Sequence, residues 1–165
     1  MKKTFLFISV LILGLSLVSC VEQPDYLFDE EKQIEFETAV RTSPAPGYIF
    51  PVITATRTTG AINLQINLVG TQLKSPEELT ISVDTSGSKL LTSSITRAVE
   101  GKHFNLNGGK ITLKADTSFV NYRLNILNSG AEAGKQALLV LKLESTNNLK
   151  AAESYRRVGY RINLQ

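Results

Sequence analysis

Tryptophan is absent from this 165-residue chain, and cysteine, histidine and methionine occur once each. Each scarcity removes a class of chemistry. With His103 as the only histidine, a His-rich metal site is excluded, and a Ser-His-Asp arrangement would have to use that one ring. No Gly-x-Ser-x-Gly elbow accompanies it, and no phosphate-cradling loop or dinucleotide fingerprint occurs. The apolar face of a sugar stacks on flat rings, often indoles, and here only phenylalanine and tyrosine are available. Positive charge is thin as well. The formal net charge is +3, and Lys2 and Lys3 supply two of those charges. Arg156, Arg157 and Arg161 form the densest basic cluster, read as part of a solvated edge strand. Nucleic acid requires a basic stripe, and none is visible, so no nucleic-acid partner is expected.

One apolar run stands out. Met1-Lys2-Lys3 precedes an uncharged stretch over residues 4–18, and Leu17-Val18-Ser19-Cys20 closes it. A positive start, a short apolar run and a small residue before the cut are the parts of a secretory signal. The run falls short of the roughly 20 residues that a membrane-spanning helix needs. Leu-Val-Ser-Cys resembles the bacterial lipobox. That resemblance implies cleavage before Cys20 and a diacylglycerol on its thiol. It also accounts for the single cysteine of an exported chain, leaving no disulfide, thiol nucleophile or cysteine-based metal site. Each buried acyl CH₂ contributes about 0.8 kcal/mol, so more than one chain gives stable anchoring. The expected organisation is a signal peptide over residues 1–19, a lipidated cysteine and tether over 20–32, and one domain over 33–165. Removing the signal leaves the mature chain near neutral, so attachment depends on lipid rather than on a basic surface.

Beyond the tether the dominant period is two. Ile34 and Phe36 alternate with Glu35 and Glu37; Ile62, Leu64, Ile66 and Leu68 alternate with Asn63, Gln65 and Asn67. The same rhythm runs through Leu79-Ile81-Val83, Ile111-Leu113, Val120-Tyr122-Leu124-Ile126, Leu139-Leu141-Leu143 and Val158-Tyr160-Ile162-Leu164. Such alternation marks strands with one face in a core and one in water. Turn formers separate the runs, among them Pro44-Ala45-Pro46-Gly47, Ser86-Gly87-Ser88 and Asn147-Asn148; Gly108-Gly109 reads as a hairpin turn. A further strand is expected over residues 48–57, with Pro51 at its start or on an edge. No strong amphipathic helix appears. The pattern predicts an all-β, antiparallel sandwich of about seven to nine strands.

The middle of the chain carries a familiar order: Asn67-Leu68-Val69-Gly70, Leu79-Thr80-Ile81-Ser82-Val83-Asp84, Ala98-Val99-Glu100-Gly101-Lys102-His103-Phe104, then Gly109-Lys110-Ile111-Thr112-Leu113 and Tyr122-Arg123-Leu124-Asn125-Ile126. This resembles the immunoglobulin-like, Calx-beta-type sandwich. It is still more similar to an uncharacterised domain family in outer-membrane lipoproteins of Bacteroidetes. The resemblance covers about half the chain. It implies the fold but not the calcium that Calx-beta domains bind. The stretch matching their acidic ligands reads Asn128-Ser129-Gly130-Ala131-Glu132-Ala133-Gly134, with one acid, and His103 replaces the turn aspartate; calcium needs about 6–8 oxygen ligands. No metal or cofactor is expected.

The resemblance further implies a lipid-anchored, non-enzymatic module in the cell envelope. Its role would be that of an accessory to an outer-membrane uptake complex built from a TonB-dependent transporter and a substrate-binding lipoprotein. Which membrane face it occupies stays open. The alternative is a surface protein that binds a glycan or peptide directly. For that, Tyr48 and Tyr155 are the candidates, because Tyr122 and Tyr160 fit inward positions and Tyr26 lies in the tether. Glu100, Asp116, Glu132 and Glu144 are the acids available to an enzyme, and His103 is expected to pack in its turn rather than act.

Overall fold

The computed structural model describes residues 31–55, 60–127 and 132–164. Eleven strands lie within them. They are β1 (Gln33–Phe36), β2 (Val52–Ala55), β3 (Gly60–Val69), β4 (Glu77–Val83), β5 (Ile95–Arg97), β6 (Phe104–Asn105), β7 (Lys110–Leu113), β8 (Phe119–Ile126), β9 (Gln136–Leu143), β10 (Lys150–Ala151) and β11 (Arg157–Asn163). One sheet has the order β10-β1-β3-β8-β6, and the other runs β2-β11-β9-β4-β7 with β5 also on β9. The alternating side chains meet between the sheets. Ile34, Phe36, Leu64, Ile66, Leu79, Ile81, Leu124, Leu139 and Leu141 are buried there, with Tyr122 and Tyr160. The sandwich and its inward residues follow the period-two pattern.

Several expectations need correction. The strand count exceeds nine because β6 and β10 have two residues each and β5 three, too few to show alternation. Pairing is not wholly antiparallel: β1 with β10, β2 with β11, and β5 with β9 run parallel. The arginine-bearing β11 is not an edge, since β2 and β9 flank it. The strand expected over residues 48–57 begins only at Val52, because Tyr48 to Pro51 fold back into the preceding loop; β2 takes the sheet edge just after Pro51, as expected. Gly108-Gly109 is not a hairpin turn. It carries the chain from β6 in one sheet to β7 in the other through a 3-10 turn over Asn107–Gly109. Gly109 has φ +68° there, and a Cβ would lie 2.1 Å from the Ile81 carbonyl oxygen, so only glycine fits. Residues Glu37–Arg41 form one short helix, α1, which the sequence pattern did not show. Val83, expected inward, is partly exposed where the chain leaves β4.

The two outer sheet faces differ. On β9, Leu138 and Val140 point away from the main core yet are buried beneath Phe50, Tyr48, Leu90, Leu91 and Ile95. The chain leaves the edge of β9 after β4, makes a 3-10 turn at Ser88–Leu90, and returns along the same edge as β5. Gly87 lies directly on this face, where a Cβ would come within 2.9 Å of Val140 Cγ2. The opposite sheet keeps its outward side chains exposed or half-exposed.

Candidate functional site

Two loops form a cleft at the end of the sandwich where β1 finishes. Phe36 leads into α1, and the chain then runs through residues 42–51 to β2. Within that loop Tyr48 N–H donates to the Ala45 carbonyl at 2.9 Å, and Ala45 N–H donates to the Phe50 carbonyl at 2.9 Å. Phe50 is the anchor, buried against Leu138 and Val140, and the Tyr48 ring tilts against it with centroids 5.2 Å apart. The opposing loop joins β10 to β11. Its Tyr155 carbonyl accepts from Phe36 N–H at 3.0 Å, and its Tyr155 N–H donates to the Ala152 carbonyl at 2.9 Å. The β10–β11 loop is thus tied to the end of β1, and the 42–51 loop to the core through Phe50.

The cleft has a volume of about 470 Å³, and both Tyr48 and Tyr155 line it. Sequence reasoning chose these residues separately, as tyrosines beside strand starts; the fold brings them to one place. It missed the aliphatic part of the wall. Val40 is 44% exposed, Ile49 57% and Tyr155 40%. The five-residue α1 and the residues after Pro44-Ala45-Pro46-Gly47 carry no period that would announce exposed apolar side chains. The phenol of Tyr48 is buried and has no hydrogen-bond partner among the described residues. An orphaned donor of this kind costs about 1–3 kcal/mol unless something fills the position. Arg41 also lines the cleft and pairs with Glu37. Among the described residues no aspartate, glutamate or histidine belongs to the lining.

The acids offered for catalysis lie apart and are engaged. Glu100 accepts the Leu106 N–H at 3.1 Å, and Asp116 pairs with Lys74. Glu144 accepts from Ser82 and Lys142, and Glu132 pairs with Lys102. His103 is 2% exposed. Its Nδ1 accepts the Val99 N–H at 3.0 Å, and its Nε2 lies 3.5 Å from Glu132. Burial, reinforced by Lys102, pushes its pKa down against the pull of Glu132. A neutral ring pinning its own turn is the packing role expected of it. Among the described residues no three histidine, cysteine, aspartate or glutamate side chains gather as a metal group. Cys20 lies outside the described residues, as does part of the stretch aligned with the calcium ligands. Within the described residues no helix is long and apolar enough to cross a membrane.

Two packed β-sheets make the chain an immunoglobulin-like β-sandwich. No family model matches it, and no curated protein does. Among solved structures, a Bacteroides ovatus protein of unknown function is similar at TM-score 0.51 and 16% identity, over 78% of this chain and 43% of that one. Bacteroides thetaiotamicron EndoBT-3987, with a Man5GlcNAc product, is similar at TM-score 0.52 and 12% identity, over 79% of this chain and 30% of that one. The apo-form Calx CBD1 domain is similar at TM-score 0.47 and 13% identity, over 79% of this chain and 96% of that domain. At such identities the likeness is one of fold. This chain spans less than half the length of the two Bacteroides chains.

Proposed function

We propose that the protein is a non-enzymatic interaction module, held to the outer membrane by lipid on Cys20 and serving as an accessory to a nutrient-uptake complex. The observation that supports this reading is the cleft between α1 and the β10–β11 loop. Exposed Val40, Ile49 and Tyr155 line it beside the Tyr48 phenol, which has no hydrogen-bond partner among the described residues. Apolar groups left in water beside an unsatisfied donor suit a surface that is covered when a partner docks. The partner implied by the lipoprotein resemblance is a TonB-dependent transporter with its substrate-binding lipoprotein. Purification from the native membrane in mild detergent through a C-terminal tag tests this. Recovery of such a transporter, lost on changing Ile49 and Tyr155 to Ala, is the expected result, and recovery of the protein alone refutes it. Cys20→Ser is expected to release a folded domain from the membrane fraction.

A direct ligand is the second reading. A cleft of about 470 Å³ falls within the usual 300–1,000 Å³ of small-molecule sites. A glycan or peptide segment seated there would use Tyr155 as its platform, with the Tyr48 ring in the wall.

A further inference from the structure

Asparagine is a poor strand residue, depleted from sheets because its side chain competes for backbone hydrogen bonds. The outer face of the β10-β1-β3-β8-β6 sheet ignores that preference. On β3 the outward residues are Ala61, Asn63, Gln65 and Asn67, and on β8 they are Phe119, Asn121, Arg123 and Asn125. The antiparallel register sets them in rows: Asn67 opposite Phe119, Gln65 opposite Asn121, Asn63 opposite Arg123, and Ala61 opposite Asn125. Asn105 of β6 extends the last row beyond Asn125. One rim is organised from within, since Gln65 Nε2 donates to Asn67 Oδ1 at 2.8 Å and Asn67 donates to Glu37. Asn63, Asn121 and Arg123 are exposed, and Phe119 is 52% exposed. Threonine or valine would satisfy the strands better at every one of these positions. A local rule broken repeatedly on one face, with no gain in packing, is the mark of a functional surface.

We infer that this face binds a neutral glycan chain, with Asn63, Gln65, Asn121, Arg123 and Asn125 as its hydrogen-bonding grid and Phe119 as its stacking platform. Each amide presents a donor and an acceptor, and the guanidinium presents several donors in a plane, matching hydroxyl groups that both give and take. Rows spaced by about 4.8 Å between strands and about 6.8 Å along them offer repeated contacts to a repeating ligand. A bound peptide needs a free sheet edge or apolar pockets for its side chains, and the amide rows provide neither. A polyanion needs several cations, whereas this face offers Arg123 and, on β10, a Lys150 already paired with Glu31, beside Glu35 and Glu37. The ring of Phe119 adds what a sugar's apolar side requires.

This assignment rests on reading the protein as a binding module, but it uses a face separate from the cleft. The test is affinity electrophoresis and calorimetry of the full lipidated chain in detergent, with mannan, amylopectin and xyloglucan as neutral probes and polygalacturonate as the charged one. At least one neutral polysaccharide is expected to bind, and polygalacturonate is not. Asn63→Thr with Asn121→Thr is expected to weaken binding by at least about tenfold. The same pair should hold or raise the melting temperature, because threonine suits exposed strands. Ser88→Ala, in the exposed 3-10 turn over the other sheet, should bind as the unaltered chain does. Failure of all three neutral probes, preference for the charged one, unchanged binding in the threonine pair, or a melting temperature lowered by it would each overturn the assignment. Those outcomes leave transporter recovery untouched, so the two readings fail separately.

Discussion

Asp84 and Arg157 join β4 to β11 across β9, and their separation is a quantity that a single substitution can read. Arg157 Nε donates to Asp84 Oδ2 at 2.7 Å, with the two side chains 16% and 12% exposed. Asp84 Oδ1 accepts the Ser86 N–H at 2.6 Å. Burial works to raise the Asp84 pKa, but the guanidinium and the Ser86 hydrogen bonds outweigh it and hold the value at about 2, down from 3.8. At 1.36 kcal/mol per unit, that difference corresponds to about 2 kcal/mol of stability at neutral pH. Because the folded value is the depressed one, the contribution is full above the unfolded pKa. It is lost as pH falls towards the folded pKa, with about half remaining at pH 3. Asp84→Asn keeps an acceptor for Ser86 and removes the charge. Arg157 then retains only Glu153, at 3.5 Å. Urea denaturation at pH 7 should show the variant less stable by about 2 kcal/mol, with Tm lower by roughly 5–10 °C, and the gap should shrink to about half at pH 3. A difference at pH 7 within about 0.5 kcal/mol, the scatter of ordinary surface substitutions, would refute the reasoning. So would a gap that stays the same at both pH values.

Two further outcomes follow from the turns around the sandwich. Gly109→Ala should cost more than about 3 kcal/mol, since positive φ and a clash with backbone combine. Gly101→Ala, with φ +78° but open space around its Cβ, should cost only about 1 kcal/mol, and equal losses in equilibrium denaturation would contradict this account. His103 should make the fold sensitive to mild acid. Burial holds its folded pKa below the ordinary 6.5 of a free imidazole, so the unfolded chain binds the proton first and stability falls as pH drops through about 6.5. His103→Asn keeps a δ-position acceptor for the Val99 N–H and should flatten that slope between pH 8 and 5.5; an unchanged slope would place the titration elsewhere.

The core was legible because it is written at period two in runs long enough to count. Ile62 to Leu68 and Val120 to Ile126 each give four inward residues, and the structure places all of them inward. What escaped notice lies where the period is short or obscured. β6 and β10 follow from pairing rather than from composition. In Ala137-Leu138-Leu139-Val140-Leu141 the alternation was read as one buried face, but an unbroken apolar run is the pattern of a strand buried on both. The second face is covered by loop residues up to about 90 positions away in sequence, which no local window contains. The cleft shows the same limit. Tyr48 and Tyr155 were visible as candidates, yet their neighbourhood depends on the β1–α1 turn and the β10–β11 loop, which meet only in the folded chain.

Coverage of the two sheets explains why a candidate site appears at all on so plain a sandwich. One outer face needs hydrophobic loops over Leu138 and Val140, and those loops are held by Phe50 and Gly87. Stability therefore fixes the residues there, and charged positions such as Asp84 and Arg157 serve to staple strands. The opposite face has no such duty. Its residues are free of the core, so their departure from strand preference asks for a reason outside folding. The cleft lies where the covering loop ends, which is why it has apolar walls and a phenol anchored on Phe50. Binding on the bare face and docking at the cleft place their demands on different residues. The chain then has two surfaces suited to holding partners, one polar and flat, one apolar and concave. That division predicts independence: the threonine pair at Asn63 and Asn121 should leave transporter recovery intact.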